Sequence, residues 1–240
     1  MRGLLPRLRR ELVPDVVIAN AENIAGGAGL TAETCEDMLS LGIDVLTSGN
    51  HVWDRREIIS YIDTQPRLLR PLNLVEGTPG RGLVVLESCG LLVINLQGRV
   101  FMRPLDDPFR AMDRVLEDHP SRFSFVDFHA EATAEKKAMG FYLDGRVSAM
   151  VGTHTHVATA DEQILPNGTG FITDVGMTGP VLSIIGNEPE STLRRYITQM
   201  PGGSRPAGGA ASLNGIVLDV DDDSGHTVHI ERVHRPWPHE

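Results

Sequence analysis

Asp15-Val16-Val17-Ile18-Ala19-Asn20 runs directly into Ala21-Glu22-Asn23, and the reading of this junction decides the fold. A short, nearly all-apolar run is what a strand buried on both faces of a parallel sheet looks like. Upstream, Leu4, Leu5, Leu8 and Leu12 recur at helical spacing with Arg7, Arg9 and Arg10 between them, which predicts an amphipathic helix ending before Pro14. Downstream, Thr31 is placed to cap a second helix that stops near Gly42, with Glu33 and Glu36 close to its start. Ile43 to Thr47 follows as a strand, and Arg55 to Asp63 as a helix. Helix and strand alternating in this way is the α/β pattern.

The middle of the chain changes character. Leu83–Glu87 and Leu91–Leu96 flank Ser88-Cys89-Gly90 and read as a hairpin. A helix over Pro108–Glu117, a strand over Phe123–Asp127, a helix from Glu131 to Gly140 and a strand over Val147–Gly152 come next. Gln163–Leu165 and Gly170–Thr173 form a second hairpin about Pro166-Asn167-Gly168, and Gly215–Val220 and Thr227–Val233 a third. The Gly- and Ala-rich stretch from Pro201 to Ala211 is expected to be a mobile loop. With no repeat and no linker in sight, residues 1–240 are expected to make one α/β domain of two mixed sheets with helices outside.

Composition narrows the function. Apolar residues make up 41% and charged residues 22% of the 240, as in an ordinary globular protein. No segment approaches the roughly 18 uninterrupted apolar residues of a membrane span, and the basic start Met1-Arg2-Gly3-Leu4-Leu5-Pro6-Arg7 lacks the apolar core of a signal peptide. A cytoplasmic location is therefore expected. Cys35 and Cys89 make no metal-type pattern and read as reduced core residues. The formal charge of −10 argues against a face for long nucleic acids, which needs clustered Lys and Arg. A small phosphate substrate stays open, because bound cations can supply the missing positive charge.

The candidate chemistry sits where strands end. Asn20 leads into Glu22 and Asn23, Thr47 into Ser48-Gly49-Asn50-His51, Asp127 into Phe128-His129-Ala130-Glu131, and Gly152 into Thr153-His154-Thr155-His156. Open α/β sheets bind ligands beyond the carboxyl ends of their strands, so the four places can share one crevice. His154 and His156, two apart on extended chain, point to the same side. Imidazoles with a carboxylate and an amide carbonyl suit Fe, Mn or Zn. Glu22 can bridge two such ions, and ions roughly 3.5–4 Å apart activate a water and neutralise phosphoryl oxygens. Taken singly, each has a plainer reading: His129 as a hydrogen-bonded residue beside a strand, Glu22-Asn23 as a turn or cap, Gly49-Asn50-His51 as a strand-to-helix turn. Their joint placement at successive strand ends favours the metal. His119, His226, His229, His234 and His239 fit no such position and are expected at the surface.

Gly49-Asn50-His51 and the later Gly152-Thr153-His154-Thr155-His156 resemble the calcineurin-like metallophosphoesterases. Longer blocks narrow this to the bacterial YmdB-type subfamily, described as 2′,3′-cyclic-nucleotide 2′-phosphodiesterases. These blocks are Val17–Asn23 with Ala25–Leu30, Asn95–Met102, Val126–Thr133 and Thr173–Pro180. The resemblance implies a four-layer α/β-β/α sandwich with two mixed sheets, a two-metal centre of iron or manganese, and a homo-oligomer. It implies that Glu22 bridges the ions, that Asn50, His129 and His154 complete one site, and that His156 with Asn23 serves the other. His51 would be the general acid that protonates the leaving ribose oxygen, a role suited to an imidazole. Family chains open with a strand ending in Gly-Asp-Val, whose aspartate binds the first metal; here that strand is missing before Leu4. Its loss leaves the His156 site short of an anionic ligand and so incomplete; a start upstream of Met1 is expected, the alternative being a real short form with the second metal weak or absent and activity poor.

The leading expectation is thus a metal-dependent phosphodiesterase acting on 2′,3′-cyclic nucleotides or similar small phosphodiesters. A phosphomonoesterase or nuclease would share the core chemistry, and a weakly active or inactive regulatory member of the same fold is the alternative. Arg99 and the Thr173–Pro180 loop are expected near the pocket, Arg99 as a phosphate contact or a structural ion pair.

Overall fold

The computed structural model describes residues 2–237. Helix α1 (Leu5–Leu12) ends in a left-handed Val13, just before Pro14. Strand β1 (Ile18–Asn20) and strand β2 (Val45–Thr47) pair in parallel, with helix α2 (Ala32–Ser40) between them in the chain. Thr31 caps α2 as its sequence predicts, exchanging hydrogen bonds with Thr34 in a capping box. After the single turn of α3 (Ile58–Tyr61) come the antiparallel strands β3 (Leu83–Leu86) and β4 (Leu91–Gln97). Helix α4 (Pro108–Asp118), strand β5 (Phe123–His129), helix α5 (Thr133–Leu143) and strand β6 (Ala149–Thr153) then make two parallel crossovers. Strands β7 (Gln163–Ile164) and β8 (Gly170–Ile172) complete a six-stranded mixed sheet in the order β3-β4-β5-β6-β8-β7. Strand β9 (Gly179–Pro180), helix α6 (Pro189–Thr198) and the long hairpin β10 (Ala211–Val220) and β11 (Thr227–Trp237) close the chain, with β11-β10-β9 as an antiparallel sheet.

Side-chain alternation sets the layers. On one face of the large sheet Leu92, Ile94, Leu96, Val126, Phe128 and Met150 pack against Met112 and Val115 of α4 and Met139 and Leu143 of α5. On its other face Val93 meets Val45 of β2, with Ile18 and Phe125 alongside. The next residue of β2, Leu46, points the opposite way and packs with Cys35 and Leu39 of α2. Period-two alternation across β2 therefore joins two sheets back to back, with helices outside both. This is the expected α/β-β/α layering, but only the six-stranded sheet is mixed: β1-β2 is parallel, and β11-β10-β9 is a separate antiparallel sheet.

Polar residues also cross the interface between the sheets. Asp127, 2% exposed on β5, accepts from Thr47 Oγ1, from Asn20 Nδ2 at 3.0 Å and from Thr153 Oγ1 at 2.7 Å. Asn95 on β4 accepts from Ser48 N at 2.9 Å and donates to Ser48 O at 3.1 Å. Buried polar groups so paired fix the register of the two sheets at the end that carries the site.

Several expected elements differ in extent. The strand predicted over 15–20 is regular only from Ile18, because the Val17 N–H bonds the Asp44 carboxylate at 2.8 Å. The helix predicted over 55–63 is one turn long: Arg55 reaches back to the carbonyls of Ala25 and Ala28, each at 3.1 Å, and holds the preceding segment as turns. Helix α6 and strand β9 have no counterpart among the predicted elements, while most of the 201–211 stretch lacks regular structure. Cys35 is a buried free thiol, but Cys89 lies exposed in the β3-β4 turn rather than in a core. His119, His226, His229 and His234 are exposed as expected, and His239 lies outside the described residues. No helix among the described residues is long and apolar enough to cross a membrane.

Candidate metal centre

Four strand ends deliver four donor atoms to one point. His129 is the last residue of β5, its ring 1% exposed, and Nε2 is the hub. Glu22 Oε1, just past β1, lies 3.0 Å from it; Asn50 Oδ1, just past β2, lies at 3.0 Å; His154 Nδ1, the residue after β6, lies at 3.0 Å. Among the described residues, Glu22, His129 and His154 form a group of side chains spaced to hold a metal ion. Gly49 makes this convergence possible, because a Cβ there would overlap the His129 ring.

A single N–H cannot serve this arrangement. His129 Nε2 carries at most one proton, yet three acceptors or lone pairs crowd around it. The outward atoms of both rings are already engaged: His129 Nδ1 pairs with Thr153 Oγ1 at 2.9 Å and His154 Nε2 with Glu131 Oε2 at 3.1 Å. Such outer partners fix ring orientation and turn the remaining lone pair inward, as in metal-ligating histidines. Thr153 is itself tied to Asp127, so the buried carboxylate between the sheets supports the ring at one remove. A carboxylate, an amide oxygen and two imidazoles thus fit a cation better than they fit one another.

The charge states agree. Burial pushes the Glu22 carboxyl up, but His129 and the His51 backbone N–H, at 2.9 Å from Oε1, outweigh it and hold the pKa at about 2. Burial, then the neighbouring His129, pushes the His154 imidazole down from 6.5 to about 4, so it stays neutral with its lone pair free. In the chelated protein the His154 ring protons are expected to titrate near pH 4 in an NMR pH series. The folded pKa lies below the unfolded value, so the associated stability is complete above about pH 6.5 and is lost as pH falls through about 4. A His154 midpoint at 6 or above contradicts this environment.

The other predicted site residues stand around this group rather than in it. Asn23 Nδ2 donates to Glu22 Oε2 at 3.2 Å, and its Oδ1 accepts from Gly29 N at 3.4 Å. His156 is anchored through Nδ1 to the Ile185 carbonyl at 3.0 Å. The His51 ring pairs with Asp54 Oδ2 at 2.8 Å, while its backbone holds Glu22. Arg99 pairs with Asp107 at 3.3 Å, the structural ion pair. Glu131, Thr153 and Asp127 support the group without having been among its expected residues; the one signal for them is a carboxylate, Asp127, inside the apolar run Phe123–His129.

Comparison with known proteins bears on the whole chain. Residues 1–233 match the family described as YmdB-like protein. A 2′,3′-cyclic-nucleotide 2′-phosphodiesterase of Bacillus subtilis (strain 168) is 48% identical over 237 residues, covering 97% of this chain and 90% of that protein. The crystal structure of a hypothetical protein from Thermus thermophilus superimposes with a TM-score of 0.94 at 44% identity, over 99% of this chain and 93% of that one. A novel phosphatase from Mycoplasma pneumoniae does so with a TM-score of 0.94 at 32% identity, over 99% and 88%. The architecture is that of the calcineurin-like phosphoesterases. With its family matched from residue 1 to residue 233, the chain belongs to the YmdB-like family.

Proposed function

We propose that the chain is a metal-dependent phosphodiesterase that hydrolyses 2′,3′-cyclic nucleotides or similar small phosphodiesters. Its relatives bear phosphodiesterase and phosphatase names, and the chain is an enzyme of that class, a hydrolase. One observation carries the metal: donor atoms of Glu22, Asn50 and His154, from three further strand ends, each lie 3.0 Å from His129 Nε2. Glu22, Asn50, His129 and His154 would hold one ion, and Glu22 with His156 and Asn23 a second; iron or manganese suits this oxygen and imidazole set. Such ions supply Lewis acidity and charge neutralisation for a phosphoryl group in a chain whose net charge is −10. A regulatory scaffold, the other expected reading, gives no reason for buried donors to converge in this way.

The remaining work falls to the protein. His51 sits one residue past Asn50, and its backbone N–H to Glu22 keeps its ring beside the centre. Asp54 engages Nδ1 and orients the ring, leaving Nε2–H to give its proton to the departing ribose oxygen. Both side chains are over two-fifths exposed, so the proton is replaced from solvent. Glu22, ionised down to about pH 2, remains an anionic ligand throughout the working range.

His51→Ala is expected to lower kcat on 2′,3′-cyclic AMP by about 10²–10⁴-fold, the usual contribution of general acid catalysis, with metal content unchanged. On bis(p-nitrophenyl) phosphate, whose leaving group needs no proton, the loss should largely vanish. An equal loss on both substrates, or none on the cyclic nucleotide, removes His51 from this role.

A further inference from the structure

The two histidines after β6 sit on a backbone that does not favour them. His154 has φ of 104° and His156 φ of 66°, both in the left-handed region. Conformations of this kind cost about 1–3 kcal/mol each and persist only where the surroundings impose them. Thr155, between the two, is where the surroundings take hold.

We infer that Asp174, with Lys136 behind it, is the positioning residue that holds the strap His154-Thr155-His156 in the shape that presents the His154 imidazole at the donor group and fixes His156 beside it. Asp174 Oδ2 accepts from Thr155 N at 3.0 Å, from Thr155 Oγ1 at 2.8 Å and from Lys136 Nζ at 2.7 Å. Its Oδ1 accepts from Gly176 N at 2.9 Å. Its backbone N–H donates to Thr159 Oγ1 at 3.0 Å, which fixes the chain beyond the strap. One carboxylate therefore grips both atoms that Thr155 can offer and pins the segments on either side.

The grip is built from the interior. Asp174 is 1% and Lys136 0% exposed, so the pair is dry and each charge has the other as its counter-ion. Buried pairs of this kind are poor sources of stability, and their best-attested use is to specify one arrangement. The ionised acceptor makes the Thr155 bonds charge-assisted and short. Gly152 completes the device. A Cβ at that position would overlap the Thr173 carbonyl and meet Lys136 Cδ at 3.0 Å, so Asp174 can reach the strap only because β6 carries a glycine there. The 173–174 segment is further tied to β6 by the bond from Val175 N to Gly152 O at 3.0 Å. None of these residues is a metal ligand in the proposed centre; they act through His154 and His156.

The inference rests on the proposed metal function for its purpose, but its test does not. The 240-residue chain is compared as wild type, as Lys136→Met/Asp174→Asn, which removes both buried charges together, and as Thr155→Val, which removes only the hydroxyl bond. Asp113→Asn, which breaks the exposed pair with Arg146 at 2.7 Å, is the control. Thermal unfolding establishes folding, Mn²⁺ titration reads affinity, and histidine ring NMR signals of the chelated proteins read position. The double variant should bind Mn²⁺ about 10–100-fold more weakly, the usual cost of losing an outer partner. Its His154 and His156 signals should shift or broaden while those of His51 stay. Thr155→Val should move the same way by less, and it carries the test if the double variant does not fold. Folded variants with wild-type Mn²⁺ affinity and unmoved His154 and His156 signals overturn the positioning role. A wild-type chain that binds no Mn²⁺ and hydrolyses no phosphodiester refutes the proposed function instead, and the ring signals of the chelated chains still decide this inference.

Discussion

Glu22→Ala is expected to lower kcat/KM on 2′,3′-cyclic AMP by about a thousandfold or more, the scale of losing a principal electrostatic group from a reaction centre. The reason is that Glu22 is the only carboxylate among the four donors, 3% exposed and 3.0 Å from His129 Nε2. Without it the remaining donors are neutral, and a cation there has no anionic partner in a buried site. The same change also leaves the His51 N–H without its acceptor, loosening the proposed acid. Glu22→Gln separates the two effects: it preserves the shape and can still accept from His51, yet it removes the charge. Its activity loss should match that of the alanine variant, while its unfolding temperature stays closer to wild type. Either variant retaining a tenth of wild-type turnover would show that the charge of Glu22 is dispensable.

Gly49→Ala should disable the centre without touching a ligand. An added methyl would overlap Nε2, Cδ2 and Cε1 of His129. The ring cannot swing aside, since Nδ1 is held by Thr153 and Thr153 by Asp127 in the buried layer between the sheets. Overpacking of this kind costs about 1–3 kcal/mol of stability. Displacing a reacting geometry by about 1 Å costs about 10²-fold in rate. The expected variant is folded, lower in melting temperature, at least about a hundredfold slower and weaker in metal affinity. Wild-type metal affinity in Gly49→Ala would mean that the His129 ring does not have to lie where it is placed.

Much of this arrangement can be read from residues, and the parts that cannot have identifiable reasons. Apolar runs such as Phe123–Asp127 and Leu91–Leu96 fix the central strands because burial on both faces leaves little choice, and Thr31 fixes the start of α2 through its side-chain bond. Glu22, Asn50, His129 and His154 could be singled out because each lies at or just past the end of a strand. What the chain does not disclose is which ring nitrogen faces inward. His129 uses Nε2 and His154 uses Nδ1, a difference set by Thr153 and Glu131. Nor does spacing separate His154 from His156. Their alternation predicts a common side only on extended backbone, and both adopt positive φ instead, so His154 joins the group while His156 turns to Ile185. Helix α6 escaped because its apolar residues Leu193, Tyr196 and Ile197 are exposed, so no core-facing pattern draws attention to it. The short α3 and the late start of β1 depend on single side chains, Arg55 and Asp44, reaching across from elsewhere in the chain.

The central claim is that Glu22, Asn50, His129 and His154 hold a metal ion. The most direct test is anomalous diffraction from crystals of the full chain grown with Mn²⁺, read at the manganese edge. The account predicts a peak within coordination distance of Glu22 Oε1, Asn50 Oδ1, His129 Nε2 and His154 Nδ1 together. A peak elsewhere, or none here while the His129 ring stays hydrogen-bonded to Glu22, would contradict it.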